Sequence, residues 1–233
     1  MNIVITGASK GIGYELCQKF INAGNHNIIA ISRTVGAFDN QIDPPGIDKK
    51  QSFTFLNLDL TEPNFKETLL PEIDKKLKSI DIIINNAGLL INKSFADLTD
   101  NDFDSMFDLN VKSVFRLIRD LLPTINSGGH IVNISSMGGY QGSSKFSGLS
   151  LYSASKGALA VLTECLAVEL KARNISANAL ALGAVKTEML STAFPNYKAP
   201  LLAEEMADFI YDFALNGNKY FNGKILPLSV STP

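Results

Sequence analysis

Tyr152 and Lys156 stand four positions apart. On a helix, residues at this spacing share a face, one turn apart, so the pair sets an ammonium beside a phenol. A free phenol titrates near pH ~10. A fixed positive charge close by favours the phenolate, which predicts a Tyr152 pKa drawn down toward neutrality. A tyrosine tuned in this way can give or take a proton at physiological pH. The same two residues on an ordinary amphipathic helix would do no chemistry, so the reading depends on what the rest of the chain brings to them.

A second chemical signature opens the chain. An apolar run, Ile3–Thr6, leads into Gly7, Ser9, Lys10, Gly11, Ile12 and Gly13, and a helical pattern follows. Strand, glycine turn and helix start form an anion site from backbone N–H groups and the helix dipole, and glycine lets the backbone approach a pyrophosphate closely. The glycine spacing, G-x3-G-x-G, differs from the G-x-G-x-x-G pattern of dinucleotide sites. The second strand ends at Ser32, and Arg33 follows twenty positions after Gly13. A carboxylate about 20 residues on would hold the 2′-hydroxyl of NAD. Arg33 and Lys10 offer positive charge instead, which suits a 2′-phosphate and predicts NADPH/NADP over NAD.

These residues need a scaffold. The chain has 233 residues, 45% of them hydrophobic, with a net charge of −2. That length can bury a substantial core. The near-neutral charge and scattered basic residues predict no nucleic-acid partner. No apolar run reaches membrane-span length, and the first residues lack a signal-peptide layout, so no membrane partner and a cytoplasmic location are expected. Cys17 and Cys165 read as reduced core thiols. His26 and His130 are too few and too isolated for a zinc site, so no metal is expected.

Short apolar runs alternate with longer amphipathic ones, which predicts parallel strands linked by helices. Strands are predicted at Ile3–Thr6, Asn27–Ser32, Phe53–Asn57, Ile80–Ile84, His130–Ile134, Ile175–Leu180 and Lys224–Leu228. Helices are predicted at Gly11–Ala23, Asn64–Leu77, Asp100–Leu122, Leu151–Ala172 and Ala203–Ala214. Pro71 should kink or divide the second of these. In the fourth, Leu151, Ala154, Ala158, Val161, Leu162 and Cys165 form an apolar stripe at helical spacing. Between Arg33 and Lys50, where Pro44, Pro45 and Gly46 cluster, a loop is expected. The fold class is α/β, one doubly wound parallel-sheet domain spanning 1–233.

With these motifs in order, the chain resembles a short-chain dehydrogenase/reductase over nearly all of its length. Residues Thr6–Gly13 resemble the family's TGxxxGxG loop. Asn85, Asn86, Ala87 and Gly88 match its NNAG motif. Asp59 and Leu60 resemble the position that contacts adenine. Ile131–Ser136 matches the strand bearing the active-site serine, and Tyr152 with Lys156 matches YxxxK. The resemblance implies a Rossmann-like fold and a catalytic tetrad. Tyr152 would be the proton donor and acceptor. Lys156 would lower the tyrosine pKa and bind the nicotinamide ribose. Ser136, with Ser135 as fallback, would orient the carbonyl, and Asn110 would support a proton-relay water. It also implies that Val185 and Thr187 contact the nicotinamide carboxamide.

The match departs in two places. The usual Pro-Gly pair is Leu182-Gly183, which leaves that turn freer, and the usual acidic-glycine ending is replaced by residues 228–233. The helices Asp100–Leu122 and Leu151–Ala172 resemble those that pair in family dimers, so a homodimer or homotetramer is expected. A short substrate loop near 187–202 borders the site. Met137, Tyr140, Phe146, Met189 and Phe194 are candidates for an apolar pocket, while Lys145 and Lys186 lie nearby in sequence. The expected reaction is hydride transfer between NADP(H) and a small or medium carbonyl or alcohol, in the direction of carbonyl reduction. The alternatives are an NAD-linked alcohol dehydrogenase, or a regulatory dinucleotide-binding protein without chemistry.

Overall fold

In a computed structural model, residues 1–38, 51–62 and 64–230 are described. Short apolar runs build β1 (Asn2–Thr6), β2 (Asn27–Ser32), β3 (Ser52–Asn57), β4 (Ile80–Asn85), β5 (Ile125–Ser136) and β6 (Ser176–Leu182), rich in isoleucine except for β3, which uses Phe and Leu, and β6, which uses Ala and Leu. Two short strands, β7 (Val185–Lys186) and β8 (Leu201–Leu202), pair with each other, and β9 (Ile225–Leu228) joins the main sheet. The main sheet has seven strands in the order β3-β2-β1-β4-β5-β6-β9. All its pairings are parallel. Strand order runs outward in both directions from β1 and β4. The crevice beyond their C-terminal ends is therefore the topological switch point, where open α/β sheets bind ligands.

The helices are α1 (Gly11–Ala23), α2 (Phe65–Thr68), α3 (Leu70–Lys76), α4 (Asp100–Phe107), α5 (Ser113–Leu121), α6 (Ser150–Glu169), α7 (Glu188–Ala193) and α8 (Ala203–Asn216). They cover both faces of the sheet, because alternate strand residues point to opposite sides. Ile3, Ile5 and Ile28 pack with Leu16 and Phe20 of α1 and Ile210 of α8 on one face. Val4, Ile29 and Ile83 pack with Phe65, Ile73, Leu117 and Leu159 on the other.

Several sequence expectations need correction, though not that for the second predicted helix, which is divided at Pro71 as expected: it is two helices, α2 and α3, with Pro71 in the first turn of α3, where its missing N–H costs nothing. The third is interrupted by a π-helical turn at Asp108–Lys112 between α4 and α5. The strand expected at His130–Ile134 runs from Ile125 to Ser136, because Ile125 pairs with Ile80 despite the intervening Ser-Gly-Gly. The expected loop after Thr187 contains α7. Pro44, Pro45 and Gly46 lie outside the described residues.

The apolar stripe on α6 is not its buried face. The sheet side buries Ser155, Lys156, Leu159, Ala160, Thr163 and Ala167, while Val161 and Cys165 are exposed. Cys17 is a core thiol, as expected, but Cys165 is not. This helix is also long and apolar enough to cross a membrane by length and composition, contrary to the sequence expectation. Here it packs against the sheet, and polar side chains occupy part of its covered face.

His130 is fully inside the fold. Its Nδ1 donates to the Ala214 carbonyl at 3.0 Å, so its Nε2 must accept from Asn178 Nδ2 at 3.1 Å. Burial, partly countered by the Ala214 bond, lowers its pKa to about 4. An unfolded histidine titrates near ~6.5, so between these values the unfolded chain binds more protons. Stability is then full above pH ~6.5 and falls as the pH drops toward 4. Urea unfolding at pH 7 and pH 5 should differ by about 2 kcal/mol from this residue. A His130→Gln variant should lose that part of the pH dependence, and an unchanged slope would refute the assignment.

Candidate active site

A cavity of about 830 Å³ opens at the switch point. Its floor is made where strands end: the loop after β1, residues Asn86, Ala87 and Gly88 after β4, Ser136 at the end of β5, and Gly183 to Val185 after β6. Gly7, Ser9, Lys10, Gly11, Ile12, Arg33, Leu60, Val185 and Thr187 also line it.

The phosphate loop is tight. Gly7 has φ +67°, and a Cβ there would sit 2.7 Å from Ala87 Cα. Gly13 does not line the cavity; a Cβ on it would meet Gly7 O at 2.2 Å, so its role is to let α1 pack against the turn. Asn86 Nδ2 donates to the Thr6 and Gly7 carbonyls at 3.2 and 3.1 Å, fastening the end of β4 to the loop. Ser9 and Ser32 hydroxyls are hydrogen-bonded at 2.9 Å. The cradle of bare backbone fits a dinucleotide pyrophosphate, and Lys10 and Arg33 line the same cavity.

Asp59 is placed differently from the expectation. It is not in the cavity lining, although its neighbours Leu58 and Leu60 are. Its Oδ1 accepts from the Thr61 N–H at 2.9 Å and the Thr61 hydroxyl at 2.8 Å. Partial burial pushes its pKa up, but these bonds and the Arg33 charge outweigh that and hold it below the usual carboxylate value.

At the other end, Ser136 and Tyr152 meet. The phenol hydroxyl is hydrogen-bonded to Ser136, whose Oγ also accepts from the Gly138 N–H at 3.1 Å. Ser135 is committed elsewhere: it is buried and donates to the Lys156 carbonyl at 2.9 Å, tying β5 to α6. Ser136 is thus the serine facing the tyrosine. Lys156 is buried, and its Nζ donates to the Ile134 carbonyl at 2.8 Å. Burial lowers its pKa to about 8.

The expected fall in the Tyr152 pKa is not what the structure shows. Burial raises it, and the Ser136 hydrogen bond only partly opposes the rise. Lys156 Nζ stands 6.0 Å from the phenol ring centre and is turned toward β5, which explains why the ammonium does not dominate. Tyr152 is therefore a neutral phenol at physiological pH, ready to donate rather than to accept.

Asn110 lies in the π-helical turn, fully buried and outside the cavity lining. Its Oδ1 accepts from the Leu89 N–H at 2.8 Å, while its Nδ2 donates to the Leu89 carbonyl and to Ser155 Oγ, both at 2.9 Å. Both side-chain donors are used in fastening the loop after β4 to α6. A Cβ on Gly88 would sit 3.2 Å from Lys156 Nζ and 3.3 Å from Asn110 Oδ1, so the two residues converge behind that loop.

The expected freedom around Leu182 is absent. Leu182 is buried, and the Gly183 N–H donates to the Leu228 carbonyl at 2.7 Å, so β9 holds the turn in place of proline. Met137, Phe146, Met189 and Phe194 do line the cavity, joined by Leu90, Leu149, Leu190 and Tyr197. Tyr140 does not; it borders a separate depression. Lys145 donates to the Tyr140 carbonyl and to Ser143, and neither it nor Lys186 lines the main cavity. Sequence reading missed Glu188, whose carboxylate pairs with Lys10 at 2.7 Å, and Ser229, which also lines the cavity. No short motif marks either one.

The family model for short chain dehydrogenases matches residues 1–198. A 3-oxoacyl-[acyl-carrier-protein] reductase, FabG, of Rickettsia bellii is 29% identical over 96% of this chain and 92% of its own length. A 4-hydroxyisoleucine dehydrogenase mutant complexed with NADH and succinate superposes with a TM-score of 0.83 at 25% identity, covering 98% of this chain and 96% of that one. ElxO with NADP bound gives 0.83 at 26% identity, covering 97% and 96%.

Proposed function

Since the chain belongs to the short-chain dehydrogenase family, and is thereby an oxidoreductase acting on CH–OH and C=O groups with a nicotinamide dinucleotide, we propose that it is an NADP(H)-dependent carbonyl reductase. The observation that carries this reading is the neutral Tyr152 phenol held on Ser136 at one end of a cavity whose other end bears Lys10 and Arg33.

Bound NADP(H) would supply the hydride. The glycine loop and Asn86 to Gly88 would hold its pyrophosphate side. Lys10 and Arg33 would meet the 2′-phosphate, and Val185 and Thr187 would flank the nicotinamide. Ser136 donates a hydrogen bond to the carbonyl oxygen as negative charge develops there, and Tyr152 delivers its proton to the same oxygen. Lys156 supplies positive charge behind the phenol. Asn110 acts as a positioning residue by fixing the loop at Leu89 against α6. NAD(H) is the lesser cofactor in this reading, because no carboxylate follows β2.

The substrate end points to an uncharged, apolar ketone or aldehyde of small or medium size. Leu90, Met137, Phe146, Leu149, Met189 and Phe194 form its wall, and the two nearby lysines outside that wall offer nothing to a carboxylate or phosphate. The whole chain acts as one domain. The exposed apolar residues Phe103, Phe115, Val161 and Val168 on α4, α5 and α6 favour a homodimer or homotetramer. The two free thiols suit a reducing, cytoplasmic setting.

The test is cofactor oxidation followed at 25 °C with a panel of aliphatic and cyclic ketones, each paired with a carboxylated counterpart. The expected result is NADPH oxidation with the uncharged compounds, at least about tenfold above their charged counterparts in kcat/KM, equivalent to about 1.4 kcal/mol. Equal use of NADH, or a preference for the charged compounds, would overturn the respective part of the reading.

A further inference from the structure

The helix α7 lies over the cavity with none of its six residues buried, so few contacts hold it. At its far end, Asn92 Nδ2 donates to the Ala193 carbonyl at 2.8 Å. At its near end, Glu188, its first residue, forms the 2.7 Å ion pair with Lys10 of the phosphate loop. Thr187 packs against the same loop, since a Cβ on Gly11 would lie 3.4 Å from its Cγ2. Lys10, Arg33, Glu188 and Lys156 are the charged side chains that line the cavity among the described residues. Lys156 of α6 is buried at the opposite end, its Nζ on the Ile134 carbonyl of β5.

Among the described residues, Glu188 is therefore the one anion that lines the cationic end, Asp59 lying beside Arg33 but outside the lining. Lys10 cannot give its full charge to an arriving phosphate while it remains on the Glu188 carboxylate. We propose that Glu188 is a specificity-determining residue: it competes with the 2′-phosphate for Lys10 and so tempers the preference for NADP(H) over NAD(H). This rests on the reading of Lys10 as a 2′-phosphate ligand. Each partner is well exposed, at 63% and 68%, so the pair is weak and readily exchanged, as a hand-over of Lys10 from carboxylate to phosphate requires. NAD(H), which lacks the 2′-phosphate, does not call on Lys10 and leaves the pair intact.

The experiment measures dissociation constants of NADPH and NADH by fluorescence titration, without substrate, for the wild type, Glu188→Gln, Lys10→Met and the double variant. Glu188→Gln should bind NADPH about three- to fivefold more tightly, with NADH changed less than about twofold. The gain should shrink in 0.5 M salt, where exposed charges are screened. Lys10→Met should weaken NADPH selectively, and adding Glu188→Gln to it should bring no further change. Both residues are exposed, so thermal melts should be unaltered and folding does not confuse the comparison. If Glu188→Gln leaves the NADPH/NADH ratio unchanged while Lys10→Met lowers it, the competition is refuted and the cofactor assignment stands. If Glu188→Gln tightens both cofactors equally, a general charge effect replaces the proposal. If the wild type binds both equally and Lys10→Met changes nothing, the cofactor assignment itself fails and takes this inference with it.

Discussion

Tyr152→Phe is expected to lower kcat for ketone reduction by about 10³-fold, within the range general acid catalysis contributes. The substitution removes one oxygen and keeps the ring volume. The hydroxyl's structural partner is Ser136, which retains the Gly138 N–H as a donor to its Oγ. The cavity walls and the phosphate loop are untouched, so the NADPH dissociation constant should stay within about twofold. A loss confined to kcat would mark a group that acts only in the transition state. Retained turnover would remove Tyr152 from the role of proton donor, and a parallel loss of NADPH binding would show that the phenol is needed to build the cofactor site.

The second large effect concerns Lys156, where activity and stability should move apart. Burial lowers its pKa from the ordinary 10.5 to about 8. The unfolded chain therefore holds more protons between pH 8 and 10.5, and stability rises with pH across that window. Below pH 8 the folded protein carries the full cost of the buried ammonium, about 3 kcal/mol. Lys156→Met removes that cost at pH 7. It also deprives the Ile134 carbonyl of its 2.8 Å partner, which costs about 1–3 kcal/mol. The variant should thus melt at or above the wild-type temperature at pH 7 while kcat falls by about 10²-fold or more. In the wild type, the reduction rate should decline as the pH rises past about 8 and the ammonium is lost. A melting temperature several degrees below wild type would show that the ammonium is a net structural support rather than a cost carried for function.

Local patterns were legible because they need only neighbouring residues. The short apolar runs gave six of the strands to within a few positions, since a parallel strand in a sheet covered on both faces carries apolar residues on both sides. The β5 start at Ile125 was not legible, because Ile125 joins the sheet by pairing with Ile80 of β4 across an irregular Ser-Gly-Gly segment that carries no apolar pattern. The α6 stripe misled for a related reason. The face that packs on the sheet carries Ser155, Lys156 and Thr163, so hydrophobicity marked the outer side. Helix α7 escaped notice because it buries nothing and has no apolar period to betray it.

The sequence by itself determined the doubly wound α/β sheet, the phosphate loop and the pairing of Tyr152 with Lys156, because each follows from spacing along the chain. Tertiary structure decided what those groups can do. It chose Ser136 over Ser135, since the two point to opposite sides of β5. It committed both donors of Asn110 to Leu89 and Ser155. It brought Glu188 to Lys10 across 178 positions of chain. It also reversed the expected shift of Tyr152, because spacing along a helix sets only proximity. Burial and the direction of the Lys156 ammonium set the sign, and that direction comes from the Ile134 carbonyl of β5 rather than from the helix that carries the pair.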